Sequence, residues 1–349
     1  MKFDVEALRK FAQEVSVAAG MKPEYAEVFV DCMIQSDLRG IRTHGLTKFR
    51  GYLKRVELGG SDIKAEPTLE RTAPGTIRVD GNNGMGFTTA WKAMNACIEA
   101  ARENGVACAA VRNATHHGFG GYYVMHAARQ GMIALEVCNT PALVAPFGGA
   151  KPVLGTNPLS IAIPAGERPM LVLDMATSLV AKGKIALAIK EGRSIPADWA
   201  LDADGNFTTD PVAANTGTLL PFGGPKGYSI ALIIEILCAC LAGANTSLQI
   251  PRVFEQPEIP SNIGYYMCVV DISKFVDPAE FEARMGMIYD ALKACPPSPG
   301  SSGVLVPGEI EEGLTRKNLQ EGIELNDATV QEFRELSERY HIPLELVER

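Results

Sequence analysis

The chain has 349 residues, 46% hydrophobic and 21% charged, the balance of a globular protein with a large core and more than one domain. Acidic residues outnumber basic ones 41 to 33, a formal charge of −8, and no basic run breaks that excess, which argues against a nucleic-acid partner. No uninterrupted apolar stretch reaches membrane-spanning length and the charged start MKFDVEALRKF reads as a helix rather than a signal peptide, so no membrane partner and a cytoplasmic location are expected.

Val5, Leu8, Phe11, Ala12, Val15 and Ala19 recur at helical spacing behind Asp4, an N-cap, and Gly20 ends the run. Pro23 opens a second helix with Phe29, Val30, Met33 and Ile34 on one face. Residues 36–52, SDLRGIRTHGLTKFRGY, then crowd Asp37, Arg39, Arg42, His44, Lys48 and Arg50 around two glycines. A solvated charged face is the plain reading; a histidine at an element junction with cations on both sides suits an anionic ligand. Residues 76–80 read as a strand and Thr88–Asn104 as a helix. Between them, Gly84-x-Gly86-x-x-Thr89 lacks the third glycine of a dinucleotide fingerprint, and the next acid, Glu103, belongs to the helix, which disfavours a Rossmann reading.

The chain is organised around residues 112–125, RNATHHGFGGYYVM, entered from the strand Val106–Arg112 and left by the helix Tyr122–Gln130. Gly118, Gly120 and Gly121 mark a strand-to-helix loop, because glycine costs about 1 kcal/mol inside a helix. His116 and His117 bring to it the side chain that exchanges protons near neutrality, although a tight turn with two surface histidines has the same pattern. A strand at Met132–Thr140 follows. In residues 141–178 the runs Leu159–Pro164 and Met170–Asp174 alternate with Gly, Pro and Asn turns, the pattern of antiparallel strands rather than βαβ units. A helix at Leu179–Lys190, a turn-rich stretch over 195–226 and the most apolar helix, Tyr228–Leu241, come next; the last is expected to be core. A strand at Tyr265–Ile272, a helix at Pro278–Ala294, a short strand at Val304–Val306 and a helix at Asp327–Tyr340 complete the order.

Five histidines without H-x-x-x-H or H-E-x-x-H spacing, two of them adjacent and pointing apart, argue against a metal site. The absence of G-x-S-x-G argues against a serine hydrolase. Eight cysteines, most in apolar runs and none in C-x-x-C, fit reduced core thiols. The Gly-rich turns at 148–149, 155–157, 223–227 and 307–309 carry backbone N–H groups able to hold a pyrophosphate without a Rossmann motif, with Lys226 adding a point charge.

Six ordered blocks spanning about residues 4–340 resemble the type-2 malate/L-lactate dehydrogenase family. They are Asp37-x-Arg39-Gly40-Ile41-x-x-His44-Gly45; Asn139-x-Pro141 through Gly148-Gly149 and Leu154-Gly155-Thr156-Asn157-Pro158; Asp174-Met175-Ala176-Thr177-Ser178; Ala181-x-Gly183-Lys184; Gly224-Pro225-Lys226-Gly227-Tyr228; and Pro307-Gly308-Glu309. The resemblance implies an α/β fold of α+β character, with a mainly antiparallel sheet in the cofactor domain and no Rossmann unit. It implies a helical domain joining residues 1–70 and 300–349, a cofactor- and substrate-binding region over 71–299, and a homodimer with the active site near the interface. The implied cofactor is NAD or NADP and the implied substrate a small carboxylate: a 2-hydroxy acid interconverted with its 2-oxo acid. A cyclic 2-imino acid reductase and a non-catalytic nucleotide or anion sensor are the competing readings.

Carried over residue by residue, the resemblance makes His116 and His44 the candidate proton carriers, His116 being favoured for its place after a strand end among glycines. It assigns Thr140 to substrate and cofactor, and Asp174, Met175, Ala176, Pro225, Lys226, Gly308 and Glu309 to cofactor. Lys48 and Arg42 are expected to hold the substrate carboxylate, with Thr43 and His117 beside it. The chain departs from the family pattern at three places: Thr43 for serine, Lys48 for arginine and His117 for phenylalanine. A point charge in place of a bidentate fork, and an added polar ring, favour a substrate with a carboxylate and a further polar or anionic group.

Overall fold

The computed structural model describes residues 1–345. The N-terminal strand β1 (Lys2–Phe3) leads into α1 (Val5–Ala18), whose cap is the Asp4 carboxylate accepting from the N–H groups of Glu6 and Ala7. Helix α2 (Pro23–Leu38) begins on proline, whose missing N–H is no loss at that position. Two 3₁₀ turns, Arg42–His44 and Leu46–Lys48, connect it to α3 (Phe49–Glu57). Next are β2 (Thr68–Ala73), β3 (Thr76–Asp80), α4 (Gly86–Asn104), β4 (Val106–Ala114), α5 (Gly121–Ala128), β5 (Met132–Cys138), β6 (Leu159–Ile163) and β7 (Leu171–Met175). Then come α6 (Lys182–Glu191), β8 (Ala200–Leu201), α7 (Pro211–Thr216), β9 (Thr218–Leu219) and α8 (Pro225–Glu235), which continues as a π-helical turn over Ile236–Leu241. The chain closes with β10 (Ile263–Asp271), α9 (Pro278–Ala294), α10 (Glu309–Glu321), β11 (Ile323–Glu324) and α11 (Asp327–Tyr340).

Seven strands form the main sheet in the order β2-β3-β4-β10-β5-β6-β7. Only β3 and β4 pair in parallel, so the mainly antiparallel sheet expected from residues 141–178 is present, with β6 against β7. Strand β10, late in the chain, lies between β4 and β5 and sets Tyr265 opposite Val111 and Cys138. Farther out, Glu136 on β5 faces Ser160 on β6, which faces Asp174 on β7. The largest core cluster joins Phe11, Phe29, Phe49 and Phe333 from the helices of both chain ends to Val111 and Tyr265 of the sheet. Pairing of β1 with β11 ties those ends together.

Several elements differ from expectation, among them short pieces within the expected turn-rich stretch 195–226, and four of the differences have a local reason. Strand β2, TLERTA, is exposed throughout and has no alternating apolar pattern to announce it. Residues 304–306 form no strand, while the glutamate-rich turn after Gly308 is the first turn of α10. Helix α6 starts at Lys182 rather than Leu179; the residues before it lie against 220–221, with a Ser178–Pro221 bridge and the Leu179 N–H donating to the Leu220 carbonyl at 2.8 Å. The apolar helix α8 with its π turn is not core all round: Ala231, Ile234 and Cys238 are buried, but Ile233, Ile236 and Leu241 are 58%, 48% and 61% exposed. A segment apolar on every side reads the same whether its second face is covered by its own chain or left open.

Candidate active site

The His44 turn is fixed from beneath by a buried acid. Asp37, at the end of α2, accepts the Leu46 N–H at 2.8 Å, and its carboxylate fills the space that a Cβ on Gly45 would take. Burial pushes the Asp37 carboxyl up to about 7, against the opposing pull of that N–H and of Arg42. The turn leaves His44 half-buried, with Nδ1 2.9 Å from the Thr43 hydroxyl. Burial first, then the neighbouring His117 and Lys48, lowers its imidazole to about 4.

The histidine loop runs from β4 to α5. Gly118 supplies a φ of +83°, and a Cβ there would lie 2.7 Å from both Cys32 Sγ and Phe87. A Cβ on Gly86 would meet the Thr115 carbonyl at 2.2 Å, so the G-x-G sequence allows α4 to pack under this loop. His116 stacks on His44, ring centroids 5.5 Å apart and planes at 16°. Its Nδ1 accepts the Gly118 N–H at 3.2 Å and lies 2.7 Å from the Tyr52 hydroxyl. A backbone N–H can only donate, so Nδ1 carries the lone pair and Nε2 the proton. Burial, followed by the charges of His44 and His117, drives His116 well below its ordinary range and holds that neutral form.

The two histidines open into a cleft of about 860 Å³ whose walls include Thr43, Lys48, His117, Thr140, Asp174, Met175, Ala176 and Gly308. Thr140 is placed by its N–H on Asn157 Oδ1 at 3.1 Å. Gly308, in the left-handed region at φ +97°, packs on Val172 and starts α10. The structure thus brings together ten of the fourteen candidate residues. Arg42 stands apart, as its guanidinium pairs with Glu324 at 2.7 Å on the surface. Pro225 and Lys226 are exposed at the start of α8. Glu309 accepts from the Val306 N–H and pairs with Lys293. These four do not line the cleft of this chain.

His117 lines the cleft but has a fixed partner beneath it. It is buried, and its Nε2 lies 3.1 Å from Glu136 Oε1, with the Tyr265 ring 4.1 Å away. Among the described residues, His117, Glu136 and Cys138 are the one trio whose donor atoms all lie within 4.8 Å of one another. The carboxylate oxygen facing the ring is already committed to it, and burial holds the Cys138 thiol well above its ordinary range, in the form that does not ligate.

Some cleft groups were not foreseen: Lys182 and Arg252 line the walls beside Arg39, and the Phe254 ring lies under Lys48 at 5.0 Å. Burial, then the charge of Arg252, lowers the Lys182 ammonium. Tyr52 had no sequence signal, being one more large residue on the buried face of α3. Glu136 had one: it is a lone acid within the apolar strand MIALEVC, at a fully buried position.

A non-Rossmann α/β chain with two stacked histidines, a cation and a long cleft has the makings of an oxidoreductase for small anions. The model of the malate/L-lactate dehydrogenase family matches residues 3–334, and the chain belongs to that family. It is 36% identical over 348 residues to an L-sulfolactate dehydrogenase of Methanothermobacter thermautotrophicus, with all of each chain covered. It is 34% identical over 327 residues to an NAD(+) ureidoglycolate dehydrogenase of Escherichia coli, covering 94% of this chain and 93% of the relative. The sulfolactate dehydrogenase structure from Methanocaldococcus jannaschii superposes with a TM-score of 0.94 at 35% identity, covering 99% of each chain. Relatives carry NAD(+) or NADP(+) in their names, and the chain is an NAD(P)-dependent dehydrogenase acting on a CH–OH group of a 2-hydroxy acid. No helix among the described residues is long and apolar enough to cross a membrane.

Proposed function

We propose that the substrate is a small 2-hydroxy acid carrying a second anionic or strongly polar group, such as a sulfonate, ureido or second carboxylate group. The observation that carries this reading is the charge of the cleft: Lys48 beside the histidines, and Lys182 and Arg252 on the adjoining wall. One carboxylate does not need all three. Lys48 holds the first carboxylate as a point charge, and Lys182 with Arg252 meets the distal group. His117, committed to Glu136, is not the group that reads it.

In this reading His44 carries the proton. Its Nδ1 rests on a hydroxyl that accepts or donates equally, so its Nε2 takes up the substrate's hydroxyl proton or returns it without breaking a fixed hydrogen bond. Protonation of His116 at Nδ1 would instead set it against the Gly118 N–H, so His116 serves as a neutral Nε2–H donor to the substrate oxygen. This reverses the preference drawn from the sequence. The nicotinamide, NAD or NADP, supplies or accepts the hydride. Asp174, Met175, Ala176 and Gly308, which line the same cleft, are the residues of this chain assigned to hold it.

We assign residues 1–70 with 300–349 to a helical part, of which 346–349 lie outside the described residues, and 71–299 to the sheet part, a division supported by the β1–β11 pairing. A homodimer is supported by the open apolar flank of α8, and a cytoplasmic setting by eight free thiols. Ile233→Asp should then give a monomer in light scattering, whereas an unchanged mass removes α8 as the interface.

The test of the whole reading is a screen of 2-oxo acids with NADH and NADPH. Pyruvate should be poor, and acids bearing a distal sulfonate, ureido or carboxylate group at least tenfold better in kcat/KM. Pyruvate as the best substrate refutes the second anionic group, and no dinucleotide binding at all refutes these cofactor assignments.

A further inference from the structure

The main sheet carries two thiols side by side, away from the cleft. Cys108 of β4 and Cys268 of β10 are register partners on neighbouring antiparallel strands, so their side chains leave the sheet on one face. The rung they share is of the closer kind. The Cys108 N–H donates to the Gly75 carbonyl at 2.8 Å, on the β3 side and away from β10, and the Asp271 N–H donating to the Gly105 carbonyl fixes the same alternation. Cys108 and Cys268 therefore exchange no backbone hydrogen bonds, and at such a rung the Cα atoms of an antiparallel pair lie about 4.5 Å apart. That separation is within the range a disulfide spans, at its short end. Ala107, Ala109, Met267 and Val269, on either side of them, face the other way into the core with α4.

Both thiols are free and half-buried, unlike the buried Cys32, Cys97, Cys138 and Cys238. The π turn after α8 covers the Tyr266 end of their face. At the other end Val106, the partner of Val270, is 36% exposed, so small solutes reach the pair from that side. The Cys268 S–H donates to Cys108 Sγ. That bond, helped by the Tyr266 hydroxyl and opposed by burial, draws the Cys108 thiol below its ordinary range. The same bond, followed by burial, pushes Cys268 up. One sulfur is thus held as the nucleophile while its neighbour keeps a proton to give. Cys97 of α4, behind the sheet, is held up by burial and adds no competing anion.

We propose that Cys108 and Cys268 form a reactive dithiol site that hydroperoxides oxidise to an intramolecular cross-strand disulfide, Cys108 attacking and Cys268 resolving. Neither residue lines the cleft, so the site stands apart from the dehydrogenase reading. In the first step the Cys108 thiolate attacks the terminal peroxide oxygen. An S–O bond forms, the O–O bond breaks, and the alkoxide leaves as the alcohol with the proton that Cys108 released. In the second, Cys268 Sγ attacks the Cys108 sulfenic acid. An S–S bond forms, the S–O bond breaks, and hydroxide leaves as water with the Cys268 proton. Two electrons pass from the two sulfurs to the peroxide. Exposure alone would direct oxidation to Cys240 and Cys295, the two exposed thiols. Thiolate character and a resolving partner direct it to Cys108 instead.

The experiment treats the reduced protein with a few equivalents of hydrogen peroxide near neutral pH, blocks the remaining thiols with N-ethylmaleimide and maps the peptides by mass spectrometry. A linked Cys108–Cys268 peptide should form about tenfold faster than Cys240 or Cys295 is oxidised, and dithiothreitol should remove it. Cys268→Ser should stop the reaction at a Cys108 sulfenic acid that dimedone traps. Cys108→Ser should abolish the fast phase and leave residue 268 unmodified. Tyr266→Phe, which takes away one donor to Cys108, should slow the reaction several-fold while the same disulfide still forms. Recovery of both thiols unmodified once Cys240 or Cys295 has been oxidised overturns the proposal, as does a fast phase that survives Cys108→Ser. The peptide map of the unaltered protein decides the first of these even if a serine variant fails to fold.

Discussion

The neutral state of His44 sets opposite pH demands on the two directions of the reaction. With its imidazole at about 4, the free protein at pH 7 holds the ring as a base, and about one molecule in a thousand carries the acid form. Three pH units correspond to about 4 kcal/mol, which the substrate carboxylate must return on binding for reduction of a 2-oxo acid to proceed near neutrality. Oxidation needs no such return. Measured as initial rates by reduced-nicotinamide absorbance, kcat/KM for oxidation should be level from about pH 8 down to about 5, then fall tenfold per pH unit below about 4. The reductive kcat/KM should fall as pH rises above that same value. Lys48→Met removes one of the charges that hold His44 down, so the limb should move upward while KM rises about tenfold or more from the lost charge-assisted bond. His44→Ala should lower kcat by about two to four orders of magnitude with dinucleotide binding intact. A limb near 6.5 in the wild type that Lys48→Met does not move, or a limb that survives in His44→Ala, refutes the assignment of the proton to His44.

Three further outcomes follow from the same geometry. Tyr52→Phe removes the hydroxyl 2.7 Å from His116 Nδ1 and should cost about 1 kcal/mol in stability and several-fold in kcat, read by thermal melting and steady-state rates. Gly120→Ala drives a methyl group into Glu136 and Ser160 and should lower stability by about 1–3 kcal/mol; an unchanged melting temperature would contradict the packing described for the loop. Asp37, held at about 7 when folded against an ordinary 3.8, binds its proton more tightly in the folded state, so its contribution is full below pH 4 and is lost as pH rises through 7. Asp37→Asn should flatten the dependence of melting temperature between those limits, and a variant that tracks the wild type at every pH excludes this role.

What was legible in the sequence divides along physical lines. Helices α1, α2 and α4 and strands β4 to β7 and β10 carry periodic apolar positions with caps or turn residues at their ends, and they fold close to where those signals stand. Strand β2 carries no period, and the Val304–Val306 run has the composition of a strand but forms none. The site divides in the same way. His44, His116, Lys48 and Asp174 stand at element junctions, where local sequence announces a loop and loops present chemistry, and they do meet in one cleft. Arg42 lies two residues from His44, yet it faces Glu324 from the far end of the chain, a partner that no local pattern reveals. His117 stands next to His116, and its partner Glu136 is nineteen residues on and one strand away from the loop's own strand neighbour.

Adjacency is what most divides the two histidines of the loop. Successive side chains in an extended segment point to opposite sides, so one ring enters the cleft against His44 while the next goes down onto Tyr265 and the sheet. Below the cleft, a phenylalanine at position 117 would leave Glu136 with neither oxygen bonded, the most costly state for a buried carboxylate. The histidine at 117 and the acid at 136 are therefore one feature of this chain rather than two. His117→Phe with Glu136 retained should be less stable than the double change His117→Phe with Glu136→Leu, by about 1–3 kcal/mol in a double-mutant cycle. Equal stabilities would show that the buried pair contributes no coupling.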